Sequence, residues 1–315
     1  MELIATLPPI HRQALLRQII SHPLVSAVRY NTGAQTSYEI EDIITQLIRL
    51  TKDKNKKLYL DLKGRQLRIE QWADPLFGKV ILNHKIKVDC PATIYLRGNE
   101  TTRIVKVDGN VIYLDPPPAH ALGAGQAINV AGTNLVIDGY LTDDDYRYLQ
   151  TGLKLGIRDF MLSFVECQDD IDIVKMLIAK ETSDPVNLVL KIESPKGVEF
   201  IRSKSKSELE EFTVMAARDD LFVNAASQKF NLLDDLKMLV QKDSKAILAS
   251  RIFSGLEVDG RISLGDICDL ELMTQFGYQR FMLSDGLCAR HFNPAVCAWQ
   301  DFLDYLGGKN NDQEN

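Results

Sequence analysis

Two short apolar runs in this sequence end in charge. Leu188, Val189 and Leu190 lead into Lys191-Ile192-Glu193, and Phe212 to Ala217 lead into Arg218-Asp219-Asp220. Each run is brief, rich in branched side chains and bounded by polar residues, the pattern of a strand buried on both faces in a parallel sheet. In a (β/α)8 barrel the carboxyl ends of the strands form the functional face. A lysine and a glutamate on one strand tip, beside an arginine and aspartates on the next, therefore point to an anion and metal site. Glu193 and Asp220 are hard oxygen donors suited to a divalent cation such as Mg2+, which takes one or two carboxylates together with oxygens of the substrate. Lys191 and Arg218 would balance an acidic substrate. The competing reading makes these charges solvated loop residues or helix caps. For Glu193 alone that reading would win, and the pairing of two similar strand ends moves the balance toward a site.

A face built from strand ends needs strands alternating with helices. Glu2 to Leu7 reads as a strand, Ile10 to Ile20 as a helix, and Val25 to Asn31 as a second strand ending in Arg29, Tyr30 and Asn31. Ile40, Ile43, Ile44, Leu47 and Leu50 recur at helical spacing. Leu58 to Leu62 is a third strand carrying Asp61 near its tip, with Lys63, Gly64, Arg65 and Arg68 beyond. The alternation then stops. Short β-type runs follow at Lys79 to Leu82, Ile86 to Val88, Ala92 to Leu96, Arg103 to Val107 and Val111 to Leu114, separated by turns such as Asp108-Gly109. Residues 69–137 are thus expected to form a small β-rich domain inserted into a barrel made of 1–68 and 138–315. Gly123-Ala124-Gly125 lacks the strand-to-helix context of a phosphate loop and reads as a turn. Alternation resumes at Thr142, whose Asp143-Asp144-Asp145 suits a capped helix start; a metal role is the sharper alternative. Further strands are expected at Phe160 to Val165, Leu188 to Glu193, Phe212 to Ala217, Ala246 to Ile252 and Arg280 to Ser284. Ser250 and Arg251 fall near the end of the seventh. Helices are expected at Ile171 to Lys180, Gly197 to Leu209, Leu232 to Val240, Ile267 to Phe276 and Val296 to Leu306, and the tail from Lys309 should fray. Eight strands with intervening helices define an α/β fold, the (β/α)8 barrel.

Composition narrows the function. A hydrophobic fraction of 45%, a charged fraction of 25% and a net charge of −6 suit a soluble globular protein and argue against broad electrostatic binding of nucleic acid. No run is long enough to span a bilayer and the N-terminus lacks a signal-peptide layout, so a cytoplasmic setting is expected. Cys90, Cys167, Cys268, Cys288 and Cys297 show no CxxC spacing, which suggests neither zinc nor disulfides; they read as small core residues. Trp72 and Trp299 read as packing residues, and the histidines are dispersed without metal spacing.

Taken in order, these motifs resemble the pyruvate kinase family along nearly the whole chain. Ile4-Ala5-Thr6-Leu7-Pro8-Pro9 looks like its opening strand, and Val28-Arg29-Tyr30-Asn31 is similar to its Arg-x-Asn strand. Leu60-Asp61-Leu62-Lys63-Gly64 with Arg68 resembles its Asp-Thr-Lys-Gly segment and following arginine. Lys191-Ile192-Glu193, Ala217-Arg218-Asp219-Asp220-Leu221 and Met282-Leu283-Ser284 resemble Lys-Ile-Glu, Ala-Arg-Gly-Asp-Leu and Met-Leu-Ser. The resemblance implies a mobile lid after the third strand. It implies Lys191 as the residue stabilising the transferring phosphoryl group or the enolate, Glu193 and Asp220 as ligands of Mg2+ or Mn2+, and Arg29 and Arg68 as the phosphoryl clamp. Ser250 stands where the family has a catalytic threonine, and Arg218, Asp219, Asn31, Asp61 and Lys63 would complete the substrate site. It further implies phosphoenolpyruvate or pyruvate as substrate, ADP or ATP as nucleotide, and a possible homo-oligomer.

The chain also departs from the pattern. Asn31-Thr32-Gly33-Ala34 replaces Asn-Phe-Ser-His-Gly, Leu62 replaces the threonine that offers an oxygen to K+, Asp219 replaces a glycine, and Arg251 replaces a glutamine. The family's C-terminal regulatory domain has no counterpart in this sequence, so sugar-phosphate regulation there is expected to be missing. The metal and enolate side is retained, and the nucleotide and K+ side is altered. Two other functions stay open on that asymmetry: metal-dependent aldolase or lyase chemistry on a pyruvate-like acid, and a catalytically silent binding protein.

Overall fold

The computed structural model of the chain describes residues 1–313, apart from 35, 75–78, 97–99, 132, 133 and 226–228, with side chains up to residue 308. The first three strands are β1 (Glu2–Thr6), β2 (Val25–Asn31) and β3 (Lys57–Leu62), separated by α1 (Gln13–Ser21) and α2 (Ile40–Lys52). Seven short strands follow: β4 (Lys79–Ile81), β5 (Ile86–Lys87), β6 (Ala92–Tyr95), β7 (Thr101–Asp108), β8 (Val111–Leu114), β9 (Asn129–Ala131) and β10 (Val136–Ile137). Strand and helix then alternate again through α3 (Asp143–Lys154), β11 (Asp159–Leu162), α4 (Gln168–Glu181), β12 (Asn187–Ile192), α5 (Pro195–Ser203), α6 (Lys206–Leu209) and β13 (Phe212–Ala217). The chain continues with α7 (Arg218–Asn224), α8 (Leu232–Lys242), β14 (Ile247–Ala249), α9 (Ser254–Asp259), α10 (Leu264–Phe276), β15 (Arg280–Leu283) and α11 (Asp285–Gln313).

Eight strands close into a barrel in the order β1-β15-β14-β13-β12-β11-β3-β2, and every neighbouring pair is parallel. Side chains alternate across a strand, so each contributes to two cores. One set, including Ala5, Val28, Leu60, Leu190, Ala216 and Leu248, packs outward against the helices. The other set fills the barrel: Ile4, Ala27, Tyr59, Met161, Val189, Met215, Ile247, Ala249 and Met282. Between β3 and α3 lies an antiparallel sheet ordered β4-β8-β7-β6-β9, beside the pair β10-β5. Leu82, Ile94, Ile104, Ile112 and Ile128 give this insert an apolar core of its own.

The helix starts are locally encoded. Thr142 accepts from the Asp145 amide while the Asp145 carboxylate takes the Thr142 amide, a capping box that gives the acidic triplet a structural use. A second box, Ser205 with Glu208, divides the helix expected over Gly197 to Leu209 into α5 and α6. The seventh strand stops at Ala249 rather than Ile252, because Ser250, Arg251 and Phe253 take left-handed backbone angles. The closing helix starts earlier than Val296: α11 begins at Asp285 and bends at His291, just ahead of Pro294, which has no amide hydrogen to continue the ladder. Its backbone is helical as far as Gln313, while the side chains of the tail from Lys309 and residues 314 and 315 lie outside the described residues. Two other expectations need correcting. Only Cys288 is buried, whereas Cys90, Cys268 and Cys297 are exposed, and Trp72 is 65% exposed while Trp299 is core. No helix among the described residues is long and apolar enough to cross a membrane.

Candidate active site

The site is the next layer of the barrel interior. Two residues beyond the inward Ala27, Tyr59, Met161 and Val189 stand Arg29, Asp61, Ser163 and Lys191, so the alternation that buries apolar side chains lower down points these four into one cleft. Asp61 is fully buried at its centre. Its carboxylate accepts from Arg29 Nε at 2.8 Å, pairs with Lys63 Nζ at 3.1 Å and with Lys191 Nζ at 3.3 Å, and accepts from Ser163 Oγ at 3.3 Å. Burial alone would raise the Asp61 pKa, but Lys191, Lys63 and Arg29 outweigh it and hold the group well below the carboxylate range. Arg29 also donates to both oxygens of Asp285 at 3.1 Å. Lys63 is lowered to about 7 by burial; Asp61 opposes that shift, and Arg29, Arg68 and Lys191 add to it.

Lys191 links this cluster to the acids above it. Its Nζ lies 3.0 Å from Glu193 Oε1 and donates to Ser163 Oγ at 2.6 Å. Asp61 and Glu193 keep the ammonium protonated against the desolvation that would neutralise it. Glu193 is 1% exposed, and its other oxygen accepts from the Phe164 amide at 2.6 Å. Phe164 holds a left-handed φ of 52° to present that N–H, a conformation that costs an L-residue about 1–2 kcal/mol. Asp220, on the first turn of α7, faces the same cleft. Desolvation and the charge of Glu193 raise its pKa above the ordinary carboxylate range, with Lys191 offsetting part of the effect. Two carboxylates crowded until one resists ionisation form a donor pair that a divalent cation would relieve. Mg2+ asks for no more than one or two carboxylates from a protein. Among the described residues no third acid, histidine or cysteine completes a protein-only cage.

The other expected residues are placed more variously. Arg68 donates to Gln66 Oε1 at 2.6 and 3.0 Å and to the Gly125 carbonyl at 2.6 Å, lying against Gly33, where a Cβ would come 2.7 Å from its Cζ. Arg68 and Lys63 line a cavity of about 700 Å3 that extends to Thr32, Tyr38, Asp145 and Tyr148. Asn31 donates to Asp285 at 3.4 Å and accepts from the Gly33 amide. Arg218 does not reach for a ligand. Its guanidinium donates twice to the Ser250 carbonyl, at 2.8 and 3.0 Å, and once to Asp269 at 2.6 Å. Asp219, exposed beside Asp220, pairs with Arg251. The turn that Arg218 grips carries Ser250 at φ 66°, Arg251 at 58° and Phe253 at 56°, each costing about 1–2 kcal/mol for a side chain with a Cβ.

Three contributors escaped the sequence reading. Ser163 stands one residue beyond β11, two beyond Met161, so counting by twos along every strand would have found it. Asp285 sits two residues beyond β15, at the first position of α11. Asn129 reaches from the inserted sheet to within 3.5 Å of Asp220, and nothing in its sequence neighbourhood signals that.

Parallel barrel, inserted sheet and strand-end charge cluster together define a (β/α)8 protein with a composite cleft between two cores. A family model described as the pyruvate kinase barrel domain matches residues 117–253. The chain is 24% identical to the pyruvate kinase of Thermoplasma acidophilum over 98% of its own length and 58% of that protein. It is 21% identical to pyruvate kinase of Debaryomyces hansenii over 79% of the chain and 55% of the relative. With pyruvate kinase 1 of Saccharomyces cerevisiae the identity is 22%, over 71% and 50%. The chain thus spans between half and three-fifths of the length of these relatives, and it is similar to the pyruvate kinase of Thermoplasma acidophilum along nearly the whole of its own length.

Proposed function

We propose that this protein transfers a phosphoryl group between phosphoenolpyruvate and a nucleotide, ADP or ATP. The observation that carries the reading is the set of buried Lys191 and Glu193 with half-buried Asp220, Lys191 being held protonated at 3.0 Å from Glu193. An enol phosphate crowds negative charge, and catalysis of its transfer rests on positioning and on fixed positive charge rather than on covalent chemistry. Lys191 supplies a fixed cation against the enolate oxygen left behind. Arg29, oriented by Asp61 and Asp285, and Arg68, oriented by Gln66, flank the transferring group. Glu193 and Asp220 would hold Mg2+ or Mn2+, which would act as a Lewis acid and neutralise phosphoryl oxygens. The cavity beside Lys63 and Arg68 receives the nucleotide, and the inserted sheet acts as a lid that meets the site through Asn129. K+ has no place in this reading. Leu62 is a core side chain, and the Asp61 carboxylate is occupied by Arg29, Lys63 and Lys191.

A coupled assay with phosphoenolpyruvate, ADP and Mg2+ tests the proposal directly. Pyruvate should form and be lost in Glu193→Gln. Absence of pyruvate across several nucleotides and divalent metals would remove the kinase reading.

A further inference from the structure

The cations gathered around Asp61 are not equally provided for. Lys191 Nζ has an acceptor for each of its three N–H groups, in Asp61, Ser163 Oγ and Glu193. Arg29 divides its guanidinium between Asp61 and Asp285. Lys63 is as deeply buried, at 5% exposure, yet among the described residues its Nζ meets one acceptor, Asp61 Oδ2 at 3.1 Å. In the ammonium form two of its three N–H groups therefore have no protein acceptor, and an unmet buried donor costs about 1–3 kcal/mol.

Charge does not make up the shortfall. Arg29 from β2, Lys191 from β12 and Arg68 from the segment after β3 all act on Lys63 with like charge, and Asp61 is shared among three cations. Asp145 of α3 spends its carboxylate on the amides of Lys63, Gly64 and Thr142. Asp143 and Asp144 of the same helix line the cavity from exposed positions, and Glu39, Glu70, His84, Arg147, Tyr38 and Tyr148 complete its ionisable lining. Burial, reinforced by the three cations and opposed by Asp61, brings the Lys63 pKa to about 7. This half-neutral amine lines the cavity of about 700 Å3 together with Arg68. An anion arriving there supplies both things that Lys63 lacks: acceptor oxygens for the idle N–H groups and negative charge against the cations. A phosphate group, with several acceptor oxygens, does so best.

We propose that Lys63 binds a phosphate group of the nucleotide and takes up one proton from solvent as it does so. Only an N–H bond forms: the neutral amine becomes an ammonium, keeps its contact with Asp61 and donates its two remaining N–H groups to phosphate oxygens. This rests on the reading that the cavity receives the nucleotide, and it adds the residue through which phosphate binding is linked to pH.

Titration calorimetry with ADP in saturating Mg2+, repeated in buffers of different ionisation enthalpy, counts the protons. A group with a pKa of about 7 is about 90% neutral at pH 8, so the full chain should take up about 0.9 proton per ADP there. Its Kd should rise about eightfold from pH 7.5 to pH 8.5, because the protonated fraction of free Lys63 falls from about 0.24 to about 0.03. Lys63→Met should bind ADP with under about 0.2 proton taken up, and the difference between the two proteins removes protons carried by ADP itself. Lys63→Arg, whose charge is permanent, should bind ADP with no uptake and a Kd that stays flat over that pH range. ADP binding without proton uptake in the unaltered protein, or uptake that persists in either variant, would overturn the assignment while leaving the nucleotide reading intact. Failure of ADP to bind would overturn both together.

Discussion

Replacing Asp61 by Asn asks how much of the cleft is organised by one buried charge. The carboxylate is fully buried and is bound by Arg29, Lys63, Lys191 and Ser163. Asparagine keeps the shape and one acceptor oxygen, but it turns an amide toward cations and removes the charge that compensates them. Breaking a buried ion pair from one side costs about 3–5 kcal/mol. One relief acts against this. Lys63, already lowered to about 7, loses the neighbour that supports its protonated form and sheds its proton at neutral pH. The loss should therefore fall at the lower end, about 3 kcal/mol. With an unfolding entropy of about 2.1 cal/mol/K per residue over 315 residues, that corresponds to a fall in Tm of roughly 5 °C. Denaturant unfolding at pH 7 gives the energy and calorimetry the Tm. Because the folded pKa of Asp61 is depressed, its contribution is complete above the unfolded value near 3.9 and is lost as pH falls through the folded value. The difference between the two proteins should close only in strong acid. A destabilisation under about 1 kcal/mol at neutral pH would show that Asp61 does not carry the cluster.

Lys63 gives a pH dependence of the same sign in a higher pH window. Its folded pKa of about 7 lies below its unfolded value, so the unfolded chain holds more protons between them and stability should rise with pH above 7 relative to Lys63→Met; a pH-independent difference would contradict the burial of a cation there. Gly64 has φ 50°, and a Cβ on it would come 2.3 Å from the Ser163 carbonyl oxygen. Gly64→Ala should thus lose roughly 2–4 kcal/mol in denaturant unfolding, and near-neutral behaviour would mean that the loop under the cleft is not packed as described. Ser163→Ala removes the 2.6 Å acceptor of Lys191. In steady-state kinetics kcat should fall about tenfold while KM moves less than about threefold, with recovery in Ser163→Thr; a rise in KM with kcat unchanged would make Ser163 a binding rather than a positioning residue.

Much of this protein is written locally. Branched runs bounded by polar residues specify the strands, heptad-like spacing from Ile40 to Leu50 specifies α2, and Thr142 with Asp145 caps α3, so the barrel and its interruption are legible without coordinates. The period of two likewise fixes that Arg29, Asp61 and Lys191 share the barrel interior, because each stands two residues beyond an inward apolar side chain. Which charges then find one another is not local. Arg218 looks like a ligand-binding arginine from its place after β13, yet Ser250 and Asp269, far along the chain, claim its guanidinium. Asp219 and Arg251 read as separate departures until strand order brings their loops together. Asn129 comes to Asp220 from a different sheet altogether. A side chain's direction follows from its own backbone, but a charge's partner depends on the register of strands distant in sequence and on how far the pair is withdrawn from water, and only the folded chain fixes both.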